Sequence, residues 1–173
     1  LQLLEIIIPL SMGFAYKFHE PDGVYFVTCA TVQWVDVFTR SIYSDIVVES
    51  LQYCIDKKGL VLHAWVIMPN HIHLVLSRNG KHSLSDIMRD FKKFTSSKIV
   101  AAIDTPIESR KSWMLWMFRS AGQNNSNNTN YQFWQQENHP VELVSTGFTK
   151  QKIGYLHENP VRAKLVDAAE RYI

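Results

Sequence analysis

The chain has 173 residues, 46% of them hydrophobic, and a net charge of only +2. That length suits one domain with a substantial core, and the composition is that of an ordinary soluble globular protein. So small a charge excludes a chain that is basic throughout, and any nucleic-acid surface must come from local clusters of Lys and Arg.

Residues 1–10 (LQLLEIIIPL) are apolar but carry Glu5, lack a basic start and fall far below the roughly 20 residues a membrane helix needs. No membrane partner is expected. Residues 1–11 read as an extension outside a single domain that runs over 12–173. The last residues, 168–173, stop inside a patterned stretch, as if a C-terminal piece were missing. After the Pro21-Asp22-Gly23 turn, residues 24–31 are β-branched and aromatic, a first core strand. Ile42, Ile46, Val47, Leu51 and Ile55 form a helical stripe over 41–58 that should end at Gly59. Residues 60–66 and 72–76 read as two strands joined at Pro69-Asn70. Residues 83–103 are the longest predicted helix, with Ser83 as N-cap and Asp86 three residues on. Trp113, Trp116 and Met117 suit a short amphipathic helix, 123–130 is a polar loop, and 131–136 alternates like a strand. A last helix spans 146–158. The order predicts an α+β domain: a ferredoxin-like or RRM-like sandwich with a mostly antiparallel sheet and helices packed on one face. Cys29 and Cys54, the only cysteines, have no zinc-type spacing and read as buried free thiols of a cytoplasmic protein.

The chemistry concentrates at two places. His71 and His73 are i and i+2 in a predicted strand, so both imidazoles share one face with Cα atoms about 7 Å apart. That spacing suits two nitrogen ligands of one divalent metal. Tyr155 and Asn159 are i and i+4, so a helix would set a phenol and an amide oxygen on one side. A metal pair plus a tyrosine suits phosphodiester cleavage. A free phenol, with a pKa near ~10, is a poor nucleophile unless charge on the phosphate is offset. Two imidazoles and one amide oxygen would leave coordination positions open, and the oxygen share favours Mg²⁺ or Mn²⁺. Each residue also has a plainer explanation. The histidines could lie on an ordinary polar sheet face, and Tyr155 could be a core aromatic beside Phe148. Asn159, before Pro160, could be an N-cap for a helix over 161–172, and a residue before proline avoids the α region. His157, two residues from Tyr155, would point elsewhere.

Residues 68–75 (MPNHIHLV) resemble the histidine–hydrophobic–histidine (HUH) motif of the IS200-like single-tyrosine transposases of small insertion sequences. Residues 155–163 (YLHENPVRA) resemble that group's tyrosine helix, above all in the REP-associated transposases, and 91–95 (FKKFT) and 133–135 (FWQ) are similar to segments between the two. The ordered resemblance runs from about Tyr16 to Asp167. One departure is Lys164, where similar chains carry a small residue, often glycine; it bears on the local turn, not on the chemistry. The resemblance implies the same sandwich fold. It also implies a metal-dependent single-stranded DNA endonuclease and strand transferase, with Tyr155 as nucleophile, a 5′-phosphotyrosine intermediate, and His71, His73 and Asn159 around a divalent ion. Religation from such an intermediate needs no ATP, so a Gly-rich phosphate loop is not required.

Contacts to single-stranded or hairpin DNA are expected from Arg89, Lys92 and Lys93 on the long helix, and from Arg119 near Trp113 and Trp116. Lys98, Arg110 and Lys111 add charge nearby; any single lysine could equally be an ordinary solvated residue. A homodimer is compatible with the sequence, with Tyr155 serving its own metal site or a partner's. Two other functions compete. A non-catalytic RRM-like binder would need exposed aromatics on the central strands and no histidine pair. A metallohydrolase would need further His or Asp ligands, which the sequence does not supply.

Overall fold

The computed structural model describes residues 18–123, 130–136 and 140–172. The expected extension over 1–11 and most of the polar loop expected over 123–130 lie outside the described residues. Among those described, one antiparallel sheet holds four strands: β1 (Tyr25–Ala30), β2 (Leu60–Met68), β3 (His71–Arg78) and β4 (Val141–Glu142). Their order is β2-β3-β1-β4. β3 therefore fills the gap between β1 and β2, which the first helix connects, in the split β-α-β arrangement of ferredoxin-like folds.

α1 (Ser41–Lys58) forms over the predicted span, and Gly59 ends it at φ 73°, its N–H donating to the carbonyl of Cys54. A side chain at Gly59 would also meet the backbone of Gly80, so the position needs glycine twice over. α2 (Leu84–Ile103) starts at the expected cap: Ser83 Oγ accepts from the Asp86 N–H at 3.1 Å. α3 (Lys111–Gln123) buries Met114, Leu115 and Phe118. Ser145 caps α4 (Thr146–Arg162), accepting from the Phe148 N–H at 3.2 Å.

Strand alternation divides the molecule into two layers of core. Tyr25, Val27 and Cys29 of β1 and Ile72, Leu74 and Leu76 of β3 face α1, α2 and α3. Phe26 and Val75 face the other way, toward Phe148, Ile153 and Leu156 of α4. The α+β class and the antiparallel sheet are as expected, but the helices do not all pack on one face: α4 covers the second. The sequence pattern for 41–103 accounts for the first layer only. α4 presents few apolar residues, and only burial of the second sheet face draws it in.

β2 serves both layers through a bulge. Leu62 pairs with Leu76 and Ala64 with Val75, so His63 is an extra residue that reverses the alternation. Leu60 and Leu62 thus join the first core, while Val66 and Met68 join the second. Residues 131–136 reach the sheet as expected but make a single bridge, Trp134 to Thr31, rather than a strand. Cys29 and Cys54 are both buried and are not joined in a disulfide.

The end of α4 departs from the sequence reading. Asn159 is not an N-cap, and no helix covers 161–172. α4 continues through Asn159 and a buried Pro160 to Arg162, and only Ala169–Arg171 form a further 3-10 turn. The helical bias against a residue before proline is overridden here: Pro160 is buried within the last turn of α4, although its ring lacks the N–H that would donate to the carbonyl of Leu156. The Lys164 N–H donates to Val161 and the Leu165 N–H to Pro160, with Lys164 at φ 57°. That pair of bonds is a Schellman closure. Its left-handed position is one where glycine fits and lysine is strained, which accounts for the small residue expected there. Beyond it, the Tyr172 hydroxyl donates to the carbonyl of Ile67 at 2.5 Å and ties the chain to β2.

Candidate active site

Sheet register sets the histidine pair. His71 opposes Ala30 and His73 opposes Thr28, so both imidazoles project from the central strand into the layer beneath α4. Their ring centres are 4.7 Å apart. His73 is buried, stacked on Phe26 at 5.1 Å. Burial, His71 and the Lys152 ammonium together push its pKa down to about 3, and burial lowers that of His71. Both rings are therefore neutral at physiological pH, the form that ligates metals.

Second contacts choose the nitrogen each ring presents. Asn70 Nδ2 donates to the Asp36 carboxylate at 3.0 Å, which turns its oxygen toward His71 Nδ1 at 2.7 Å. A carboxylate only accepts, so the amide orientation follows, and His71 Nδ1 must carry the proton. Its Nε2 keeps the lone pair. Thr28 Oγ1 lies 2.8 Å from His73 Nδ1 and accepts from it in the tautomer that frees Nε2. That Nε2 is buried and has no hydrogen-bond partner, and the same is true of Asn159 Nδ2. Two buried polar atoms left unsatisfied carry a desolvation cost that a bound ion would relieve. Nitrogen and oxygen of an amide are interchangeable in placement, so the orphaned Asn159 atom also suits a carbonyl ligand. Among the described residues no group of three His, Cys, Asp or Glu could hold a metal. The two imidazoles, with ring centres 4.7 Å apart, are the paired nitrogen donors that the sheet register brings together.

α4 brings Tyr155 to the pair. Its ring centre is 5.5 Å from that of His73 and 6.1 Å from Phe26, and the side chain is 38% exposed. Tyr155 is thus neither buried in the core nor remote from the histidines, although it shares its helix with Phe148. Lys152 Nζ lies 5.9 Å from the Tyr155 ring centre and the Arg162 guanidinium 5.7 Å from it. Asn159 follows Tyr155 by one helical turn; His157 and Glu158 are exposed.

The other expected basic residues lie elsewhere. Arg89, Lys92 and Lys93 are on α2, across the sheet from the histidines. Arg89 pairs with Asp86 and Asp90, and Lys92 donates to the carbonyl of Gln135 at 2.9 Å. Lys93 is exposed beside Phe94, and Arg119 is exposed on α3. Sequence reasoning missed the two cations that flank the tyrosine, although Lys152 (i−3) and Arg162 (i+7) share its helical face. It also missed Trp34 against His71, for which a loop gives no periodic signal.

A ferredoxin-like domain with a histidine pair on its central strand and a tyrosine on the covering helix defines the class structurally. The family described as Transposase IS200 like matches residues 24–128, more than half of the chain, and the chain belongs to that family. It is a transposase, of the enzyme class that cuts and rejoins DNA. A REP-associated tyrosine transposase, solved bound to a REP hairpin, is similar over 91% of this chain and 78% of its own, with a TM-score of 0.61 and 16% identity. That likeness bears on the fold. A candidate transposase from Deinococcus radiodurans R1 covers 88% of this chain and 97% of its own at 19% identity, with a TM-score of 0.48. Among curated proteins, none matches this chain.

Proposed function

We propose that this transposase is a metal-dependent single-strand DNA endonuclease and strand transferase that works through Tyr155. The observation that carries the reading is the Tyr155 ring 5.5 Å from His73, whose Nε2 is buried without a partner. His71 Nε2, His73 Nε2 and the Asn159 amide would hold Mg²⁺ or Mn²⁺, which supplies charge compensation at the phosphate. Tyr155 Oη attacks phosphorus, the 3′ oxygen leaves as a free hydroxyl, and a 5′-phosphotyrosine remains; attack by a 3′-hydroxyl reverses the step. Lys152 and Arg162, beside the phenol, are suited to steady the scissile phosphate. Lys93 and Arg119, on the far side of the sheet, are suited only to DNA that wraps around the domain, such as a hairpin stem.

The non-catalytic RRM-like alternative is disfavoured by α4. Phe26 and Val75, on the sheet face such a binder would use, are buried beneath it.

Incubating the protein with single-stranded hairpin DNA and Mn²⁺ tests the reading. A covalent adduct should form, vanish in EDTA and be absent from Tyr155→Phe, while Tyr155→Phe still binds DNA. An adduct that persists in Tyr155→Phe would move the nucleophile to another tyrosine.

A further inference from the structure

Between β1 and α1 the chain makes a 3-10 turn, Val32–Trp34, in which two successive non-glycine residues are left-handed: Gln33 at φ 56° and Trp34 at φ 54°. Each such residue is costly, and a bulky one more so, so a pair of them persists only where the surroundings impose it. The bracing is visible. Thr31 Oγ1 donates to the carbonyls of Val35 and Asn70, the Thr31 N–H donates to Asn70, and the Val32 N–H donates to Phe133. Val32 and Val35 are buried on either side. What this turn presents is an indole that is 54% exposed, its ring 5.7 Å from His71 at an interplanar angle of 82°.

An indole more than half exposed on a strained backbone is not accounted for by core packing. It lies at one end of a row of rings, Trp34, His71, His73 and Tyr155, with successive centres 5.7, 4.7 and 5.5 Å apart. Tyr155 and Trp34 thus bracket the histidine pair. A strand whose phosphate sits at Tyr155 and the histidines carries its neighbouring nucleotide toward Trp34. We propose that Trp34 is the platform on which an unpaired nucleobase adjoining the cleaved phosphodiester stacks, an inference that rests on the single-strand reading above. In a duplex each base face is covered by its stacked neighbours, and only a base out of that stack offers a free π-face to the indole, so Trp34 selects single-stranded over duplex DNA beside the cut. Stacking accepts any base, so its contribution is to position the strand and not to read its sequence.

The test is fluorescence anisotropy of the full chain in EDTA, with a labelled oligothymidylate about a dozen nucleotides long and a strand of the same length without bases. The parent should bind the thymidylate about tenfold or more tightly than the abasic strand. Trp34→Ala should lose most of that preference while binding the abasic strand as the parent does, and Trp34→Phe should restore part of it. Trp34→Gly, which suits the left-handed backbone, should lose the preference and melt no lower than the parent. A preference that survives in Trp34→Ala, or is absent from the parent, overturns the inference alone. A Trp34→Gly chain that melts well below the parent also overturns it, by making the indole a structural prop. Failure of the parent to bind either strand removes the single-strand reading as well.

Discussion

Thr28 and Asn70 touch the histidines from behind: Asn70 fixes the proton on His71 Nδ1, and Thr28 Oγ1 holds His73 by its Nδ1. Second contacts of this kind are worth about 10–100-fold in metal affinity. Thr28→Val keeps the shape of the side chain but removes the oxygen at His73 Nδ1. It should raise the Mn²⁺ concentration needed for adduct formation by at least ~10-fold, read from a metal titration. Asn159→Ala should shift the same titration by a similar factor. Because Asn159 lies inside α4 and caps nothing, the loss of thermal stability should be small. Asn159→Asp, which keeps an oxygen and adds charge, should restore or tighten metal dependence. An unshifted Mn²⁺ titration in Asn159→Ala would leave only the histidines as ligands.

α4 is the element on which the proposed site depends most, since it carries Tyr155, Asn159, Lys152 and Arg162. Its C-terminal closure holds that last turn, and Lys164 sits there in a conformation better suited to glycine. Lys164→Gly should therefore raise stability by roughly 1 kcal/mol, a Tm increase of about 3 °C for a chain of this size. The yield of adduct should not change. Lys164→Val, branched at Cβ, should lower the Tm. A destabilised glycine variant would show that the lysine side chain itself, and not the backbone geometry, sustains the turn.

Across the whole molecule, one buried ionic cluster ties the first helix layer to the histidine turn. Buried Glu108 accepts from the Tyr43 hydroxyl at 2.8 Å and from Arg110, whose guanidinium also donates to the carbonyl of Asp36. Asp36 in turn orients Asn70. The bonds from Arg110 and Tyr43 outweigh burial and hold the Glu108 pKa down to about 2, below its ordinary 4.5. The native state thus binds fewer protons than the unfolded state in that window. The stabilisation is full above pH 4.5 and is lost as the pH falls toward 2, on the order of 3 kcal/mol in all. Glu108→Gln should flatten chemical-denaturation stability over this range, and an undiminished slope would contradict the assignment. His73, kept neutral, acts in the same sense between its ordinary value of 6.5 and about 3. At the same scale, DNA binding should weaken steeply with salt through counterion release, and cutting should be confined to unpaired DNA. Equal cleavage of a perfect duplex would contradict the path from Tyr155 to Trp34.

Local signals in the sequence determined a good deal. The stripe over 41–58, the Ser83 cap and the alternation of the hairpin are short-range properties, and the elements formed where those patterns lie. The i, i+2 spacing put His71 and His73 on one face, because strand geometry leaves no alternative. What only the tertiary structure decided depends on contacts between distant segments. That α4 runs on through Asn159 to Arg162, with Pro160 buried, is something no window of sequence contains. The packing of α4 on the second sheet face brought Tyr155 over His73, from 82 residues away in the chain. The bulge at His63 was hidden in an apolar run, and Trp34 sits in a turn whose shape is imposed by Asn70 and Phe133. Periodicity reports which residues share a face of one element. It cannot report which faces meet, because that choice is made by the burial of the whole core.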